Sequence, residues 1–473
     1  MVSEEIWVGG VGAMLLAEGI PLRTALYVTD PAKWTAFDLG VRDHCPPALL
    51  PSAERVRPGR LRSRLLRVKD LTEPELALAL CHHDGRVREA ALDRAADRPD
   101  LLPLLVIRSA DWVAPVRERA RALLAERLDV PRAAALAPLI LRVGRRERGT
   151  HAVELLGEVL RLAPPELLRP LCGAEDRAVR RFAVRLAVRL GYFSPAELAR
   201  TAARDSDVTL QDLCADTALA AVRESGAYDD VLPALLGARG PRPRAAGVTA
   251  LRTAGRYAQA EPFLADRSAL VRACARYVVR QGEGDPVTWY RERCAVEAVP
   301  GAVIGLAECG DRADAALLWT LIDHPTPAVR ARAVAGLRLL DSVDAGRLLP
   351  LLDDPAPSVV RETTLALLPS ARSLPQDWLS ERAAPDRPRQ VRLAAFRLLH
   401  ACDGLTRLRA AVALLDDCDP KMRAWAESSV QGWHAGPRVP LCDPEVGALL
   451  DRAGYLFSDY VLVRRKREAG LPA

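Results

Sequence analysis

Arginine is the residue of this chain best suited to chemistry. Lysine occurs only at Lys33, Lys69, Lys421 and Lys466, so nearly all of the 67 basic side chains are guanidinium donors. A guanidinium is permanently charged and meets a carboxylate or phosphate through two parallel hydrogen bonds. One set of arginines recurs about every 31 residues, in a Val-Arg step except at Arg244 and Arg423: Arg88, Arg117, Arg180, Arg244, Arg272, Arg330, Arg361, Arg392 and Arg423. Such regularity points to structure, a ladder between repeats. A second set, Arg181, Arg185, Arg189, Arg252, Arg280, Arg332, Arg338 and Arg397, falls between these anchors and is the candidate patch for a partner.

Other residue constellations are weaker. His44-Cys45 and Cys81-His82-His83 are soft ligands of the kind that hold zinc, but His83 precedes Asp84 in an ordinary inter-helix turn, so they read as turn and core residues and no metal is expected. Gly9 to Gly19 (GGVGAMLLAEG) superficially resembles a phosphate loop. It lacks Gly-Lys-Ser/Thr and dinucleotide spacing and reads as a loop entering a helix. No Gly-x-Ser-x-Gly, His-Glu-x-x-His or paired catalytic carboxylates are found, so neither a cofactor nor catalysis is expected. There is no Cys-x-x-Cys among ten cysteines.

The elements that position these residues follow from the repeat. Three anchors have lost the arginine, at Gly149, Gln211 and Val299. Three residues past each of the twelve anchors stands a residue no larger than threonine, such as Ala91, Ala183, Cys214, Gly247 or Thr364. Seven past the anchor the residue is usually aliphatic, as at Leu124, Leu156, Leu251, Leu306, Leu337, Leu368 and Leu399. That +3/+7 spacing is one face of a helix. A second helix precedes it, marked by a Leu-Leu-Pro-Leu-Leu core at Leu101–Leu105, Leu136–Ile140, Leu167–Cys172, Val231–Leu236 and Leu348–Leu352. Proline fits a first helical turn, where its missing amide has no partner. Asp84, Asp176, Asp266, Asp323 and Asp386 stand four to seven residues before anchors, where a carboxylate can cap the second helix and reach an anchor arginine.

A repeat of that length predicts an all-α fold, a right-handed α-solenoid of about twelve stacked helical hairpins. Three segments are expected: a capping segment over 1–71, a repeat array over 72–432 opening on the capping-box pattern Thr72–Glu75, and a cap with a basic tail over 433–473. Hairpins with a proline in the first helix, Asp-Pro turns and Val-Arg opening the second helix resemble HEAT repeats, and the short period is similar to the bacterial HEAT-like branch that includes phycobilisome-lyase-type repeats. The resemblance spans about residues 72–432. It implies a protein-binding scaffold or adaptor; some HEAT-like proteins instead act on bilins or as DNA glycosylases.

Charge placement refines the functional reading. In a HEAT-like stack the second helices line the concave face. There the first repeats carry Glu89, Asp93, Asp97, Glu118, Glu126, Glu154 and Glu158, and later repeats carry the second arginine set, interrupted by Asp212 and Asp216. A nonspecific nucleic-acid groove needs an unbroken basic track with aromatic platforms, and only Phe182, Tyr277 and Trp425 stand near. A bipolar face suits a protein partner better. The leading expectation is a noncatalytic scaffold with a protein partner. Nucleic-acid binding and a lyase acting on a small molecule are the alternatives. Two further basic runs, Arg55 to Lys69 and Arg464 to Arg467, read as solubilising caps, the latter after the apolar stretch Gly454–Val463. No apolar run is long enough to span a membrane, and Glu4 and Glu5 stand where a signal peptide would be basic. A cytoplasmic chain is expected.

Overall fold

The computed structural model describes residues 2–26, 30–56, 71–437 and 439–472, the side chains of 2–8 excepted. Among them are 29 α-helices and eight 3-10 segments, and no strand. The chain divides into two compact units, Met1–Gly237 and Ala238–Ala473. The division falls inside the stretch that the sequence reads as one array, and each unit is built of successive helical hairpins, the α-solenoid arrangement.

Every one of the twelve anchors lies in, or at the start of, a hairpin's second helix. In the first unit these helices are Gly85–Ala95, Ala114–Arg127, Thr150–Arg161, Arg177–Arg189 and Val208–Ser225. In the second they are Pro241–Thr253, Ala269–Gln281, Pro300–Cys309, Pro327–Leu339, Pro357–Leu367, Arg389–Ala401 and Pro420–Gln431. The small +3 residues are all buried, from Ala91 at 0% exposure to Thr364 at 1%. A small side chain there lets consecutive second helices close on each other, and the +7 leucines fill the space beneath. Leu368 differs: its helix has ended, and the residue is half-buried while Leu367 takes the core position.

Of the five aspartates read as caps, Asp84 and Asp176 open their helices, whereas the helices after Asp266, Asp323 and Asp386 open on Ser268, Thr326 and Pro388. Asp84 and Asp176 accept the amides of Arg86 (2.9 Å) and Ala178 (2.7 Å). Thr72 and Glu75 form the capping box, with the Thr72 amide donating to Glu75 Oε2 at 2.8 Å. At Gly149 and Val299 the anchor itself is the N-cap, so those helices lack their first turn, yet Ala152, Leu156, Ala302 and Leu306 stay fully buried. The prolines of the first helices are not all in first turns. Pro103 and Pro233 are, whereas Pro138 and Pro170 lie inside their helices.

The N-terminal segment is helical rather than looped. Helix Val2–Ala17 contains the glycine-rich run and crosses helix Pro31–His44. A Cβ on Gly9 would lie 2.1 Å from the Ala36 carbonyl oxygen, and one on Gly40 would lie 2.3 Å from the Gly10 nitrogen. These glycines therefore let two backbones touch; they do not form a phosphate loop. The short helix Leu22–Ala25 follows, with 27–29 outside the described residues.

Helix Pro31–His44 is tied to the array by a buried charge network. Asp38 pairs with Arg42 and Arg108, Arg108 Nη1 donates to Asp111 Oδ2 at 3.0 Å, and Arg142 Nε donates to Thr35 Oγ1 at 3.1 Å. Burial pushes the Asp38 carboxyl up, but Arg108 and Arg42 outweigh it and hold the group below its ordinary range. At the other end Trp433 is buried and its indole N–H donates to the Gly404 carbonyl at 2.8 Å.

Candidate arginine groove

The anchor arginines form rungs with a consistent chemistry. Arg88 is fully buried; its Nε and Nη2 grip the Asp111 carboxylate at 3.0 and 2.8 Å, and its Nη1 donates to the His82 carbonyl at 2.8 Å. Asp111 opens the next hairpin's turn, and its carboxylate also accepts the Val113 amide at 2.9 Å, while its carbonyl accepts Arg117 Nη1 at 2.9 Å. One aspartate six residues before an anchor thus receives the previous anchor on its side chain and its own anchor on its backbone. The same rung joins Arg180 to Asp205 (3.2 Å), Arg244 to Asp266 (2.9 Å) and Arg392 to Asp417, and its carboxylate half alone joins Arg330 to Asp354 (2.8 Å), seven residues before the next anchor.

The departures are equally specific. Gln211 keeps the backbone half of the rung, donating to the Asp205 carbonyl at 2.7 Å. Arg423 likewise reaches the Asp417 carbonyl at 2.5 Å. Arg272 reaches the Asp266 carbonyl at 2.7 Å but takes Glu308, on the following second helix, as its carboxylate. Arg361 is no rung: it is exposed and pairs with its neighbour Glu362 at 2.8 Å. Of the aspartates read as caps and ladder partners, Asp266 is a rung, Asp84 and Asp176 are caps, and Asp386 is 78% exposed beside Arg387.

The second arginine set does not form one surface of free charges. Arg181 is committed: with Arg177 it grips Asp207, the N-cap of helix Val208–Ser225, with Arg181 Nη2 at 2.9 Å from Oδ1 and Arg177 Nε at 2.6 Å from Oδ2. Those hydrogen bonds hold the fully shielded Asp207 carboxyl far below its ordinary range. In the second unit Arg252 lies over the Tyr277 ring at 5.6 Å and Arg338 is 3.9 Å from Glu362. Arg280, Arg332 and Arg397 are exposed and make no ion pair with a described residue. The acidic stretch is partly neutralised, since Arg119 and Arg127 pair with Asp93 (2.5 Å) and Asp97 (2.6 Å).

Arg185 and Arg189 stand apart. Both are exposed and, among the described residues, neither has an ion-pair partner. They line a groove of about 770 Å³ together with Arg177 and Arg181 from the same helix and Arg145 from the turn after helix Val130–Val143. Leu141, Phe182, Val188 and Leu213 supply the apolar lining. Arg177, Arg181, Arg185 and Arg189 follow one another at four-residue steps and so run along one helix face. Asp212 and Asp216 stand on the next helix, where burial and Asp212 push the Asp216 carboxyl up.

Arg145, Arg177 and Asp207 escaped the sequence reading. The four-residue stripe was available in the spacing, but Asp207's double role depends on how one hairpin's turn meets the previous helix. Arg55 pairs with Glu75 at 2.5 Å, while Arg57, Arg60, Arg62, Arg64, Arg67 and Lys69 lie outside the described residues. At the C-terminus Arg464 and Arg465 pair with Glu468, and Lys466 with Asp451 at 2.6 Å. In the apolar stretch before them, Tyr455 and Tyr460 are largely exposed, whereas Phe457 and Leu462 pack on the buried cluster around Trp433.

Two of the soft-ligand residues, Cys81 and His82, have other surroundings. Cys81 is buried beside Asp38 and its thiol is pushed far up by burial; His82 Nδ1 accepts the Asp84 amide at 2.9 Å. Among the described residues no three His, Cys, Asp or Glu are placed to hold a metal, and no helix is long and apolar enough to cross a membrane.

Fold and site together define an all-α helical-repeat protein with an arginine-lined groove. No family model and no curated protein matches the chain. Among solved structures it is similar to importin beta, at 12% identity and a TM-score of 0.32, covering 97% of this chain and 65% of that one. It is also similar to Kap121p, at 12% identity and a TM-score of 0.27, covering 90% of this chain and 53% of that one. The chain thus spans less than two-thirds of either. The likeness is one of helical-repeat architecture alone.

Proposed function

We propose that this chain is a noncatalytic scaffold that holds an acidic protein partner in the arginine groove of its first unit. The observation that supports the reading is the contrast within one helix. Arg177 and Arg181 are satisfied by Asp207, whereas Arg185 and Arg189 lie one and two turns further on beside an apolar lining and, among the described residues, without a carboxylate partner. Guanidinium groups with an adjoining apolar lining suit a protein surface carrying both acids and aliphatic groups. A phosphate backbone answers the charge but offers nothing to Leu141, Val188 and Leu213.

The test is affinity capture with the full chain, followed by photocrosslinking from position 213. A stoichiometric protein should be recovered and crosslinked there, and the double variant Arg185→Glu, Arg189→Glu should lose it. Recovery of nucleic acid alone, with affinity falling steeply as salt rises, would overturn the reading.

A further inference from the structure

We infer that the occupant of this groove is an acidic amphipathic helix, with carboxylates four residues apart facing Arg185 and Arg189 and an aliphatic or aromatic side chain set against Phe182, Val188 and Leu213. The inference rests on the scaffold reading and gives its partner a chemistry.

Three observations carry it. First, the arginine row already takes a carboxylate that stands at the N-terminal end of a helix. Asp207 caps helix Val208–Ser225 through the Thr209 amide at 2.9 Å and receives Arg177 and Arg181 on the same carboxylate. Arg185 and Arg189 repeat those donors one turn and two turns along, so a partner that continues the row of acids completes it. Second, the step matches. Side chains four apart on a helix are about 6 Å from one another, so acids four apart on a partner helix meet arginines four apart on this one. Third, the walls are helices whose backbone groups bond internally. An extended peptide laid here would find no strand edge for its amides and carbonyls, whereas a helix satisfies its own. The groove, at about 770 Å³, lies within the range of ordinary ligand sites.

The experiment uses the full chain and labelled peptides of about 15 residues, long enough to hold a helix when rich in alanine. One peptide carries glutamates four apart with leucines on the adjoining stripe. An isomer of the same composition carries the glutamates on the opposite face, a third is interrupted by proline, and an oligothymidylate serves as the polyanion. Fluorescence anisotropy should show the in-register helix binding about tenfold more tightly than its isomer and than the proline peptide. Arg185→Glu with Arg189→Glu should remove that preference with the circular dichroism unchanged, and Arg332→Glu should leave it intact. Equal binding of the isomer, equal binding of the proline peptide, or tighter binding of the oligothymidylate each overturns the inference. If a protein still crosslinks at position 213 in an Arg185-dependent way while the peptides are not distinguished, the helix is wrong and the scaffold stands. If no protein crosslinks, both fall.

Discussion

At the residue scale, position in the repeat does not determine what an arginine does; its surroundings do. Arg88 and Arg361 occupy equivalent places in the pattern. Arg88 and Asp111 are both fully shielded and joined by two hydrogen bonds, whereas the Arg361 side chain is 66% exposed. Removing one member of a buried pair leaves an uncompensated charge and costs about 3–5 kcal/mol, while an exposed pair is worth about 0–1 kcal/mol. Asp111→Ala should therefore lower the urea-unfolding free energy by about 3–5 kcal/mol, and Arg361→Ala by no more than about 0.5 kcal/mol. Similar losses from both would mean that the rung carries no special stability. The thiols fit the same picture: burial pushes the half-buried Cys172 to about 11 and the buried Cys214 and Cys294 to about 12, so at neutral pH they behave as small apolar groups.

At the element scale, the helix pair Val2–Ala17 and Pro31–His44 shows tertiary packing overriding propensity. Glycine inside a helix costs roughly 1 kcal/mol relative to alanine, so a run with three glycines at 9, 10 and 12 reads as a loop. The helix forms because Gly9 and Gly40 let its backbone lie directly on its neighbour's, while Gly10 makes room for the His44 side chain. Gly40→Ala improves local propensity yet should destabilise, by about 1–3 kcal/mol from overpacking, because its Cβ would meet backbone that has no rotamer to change. Thermal melting checks the sign, and a raised midpoint would show that the crossing has room. The missing first turns at Gly149 and Val299 belong to this scale too. The sequence marked those anchors as lacking arginine, but not that the helix begins a turn late.

At the scale of the whole molecule, three arginine-held carboxylates, Asp207, Asp266 and Glu308, impose a pH dependence. The carboxyl of Asp207 is lowered by hydrogen bonds from Arg181 and Arg177. For Asp266 and Glu308 burial acts upward, but Arg244 with the Ser268 amide, and Arg272 with Arg276, outweigh it, so both are lowered. A carboxyl whose folded value lies below its unfolded value stabilises the fold fully above about pH 4–5, and that stability drains away as the pH falls through the lowered value. Urea midpoints should thus be nearly level from about pH 7 to 5 and fall increasingly steeply below about pH 4. A midpoint unchanged down to about pH 3 would contradict the role given to these three carboxylates.

What the sequence by itself determined is the repeat: twelve second helices, their small +3 residues and buried +7 positions, and the all-α class. Periodicity is a property of a helix face and is written locally. What only the tertiary structure decided is which charges remain available. Arg181, Arg185 and Arg189 look alike in the sequence, yet Asp207, 26 residues beyond Arg181, takes the first and leaves the other two facing the groove. The signal was present as aspartates four and six residues before the next anchor. Its meaning depended on where one hairpin's turn comes to rest against the preceding helix, which packing sets and local pattern does not.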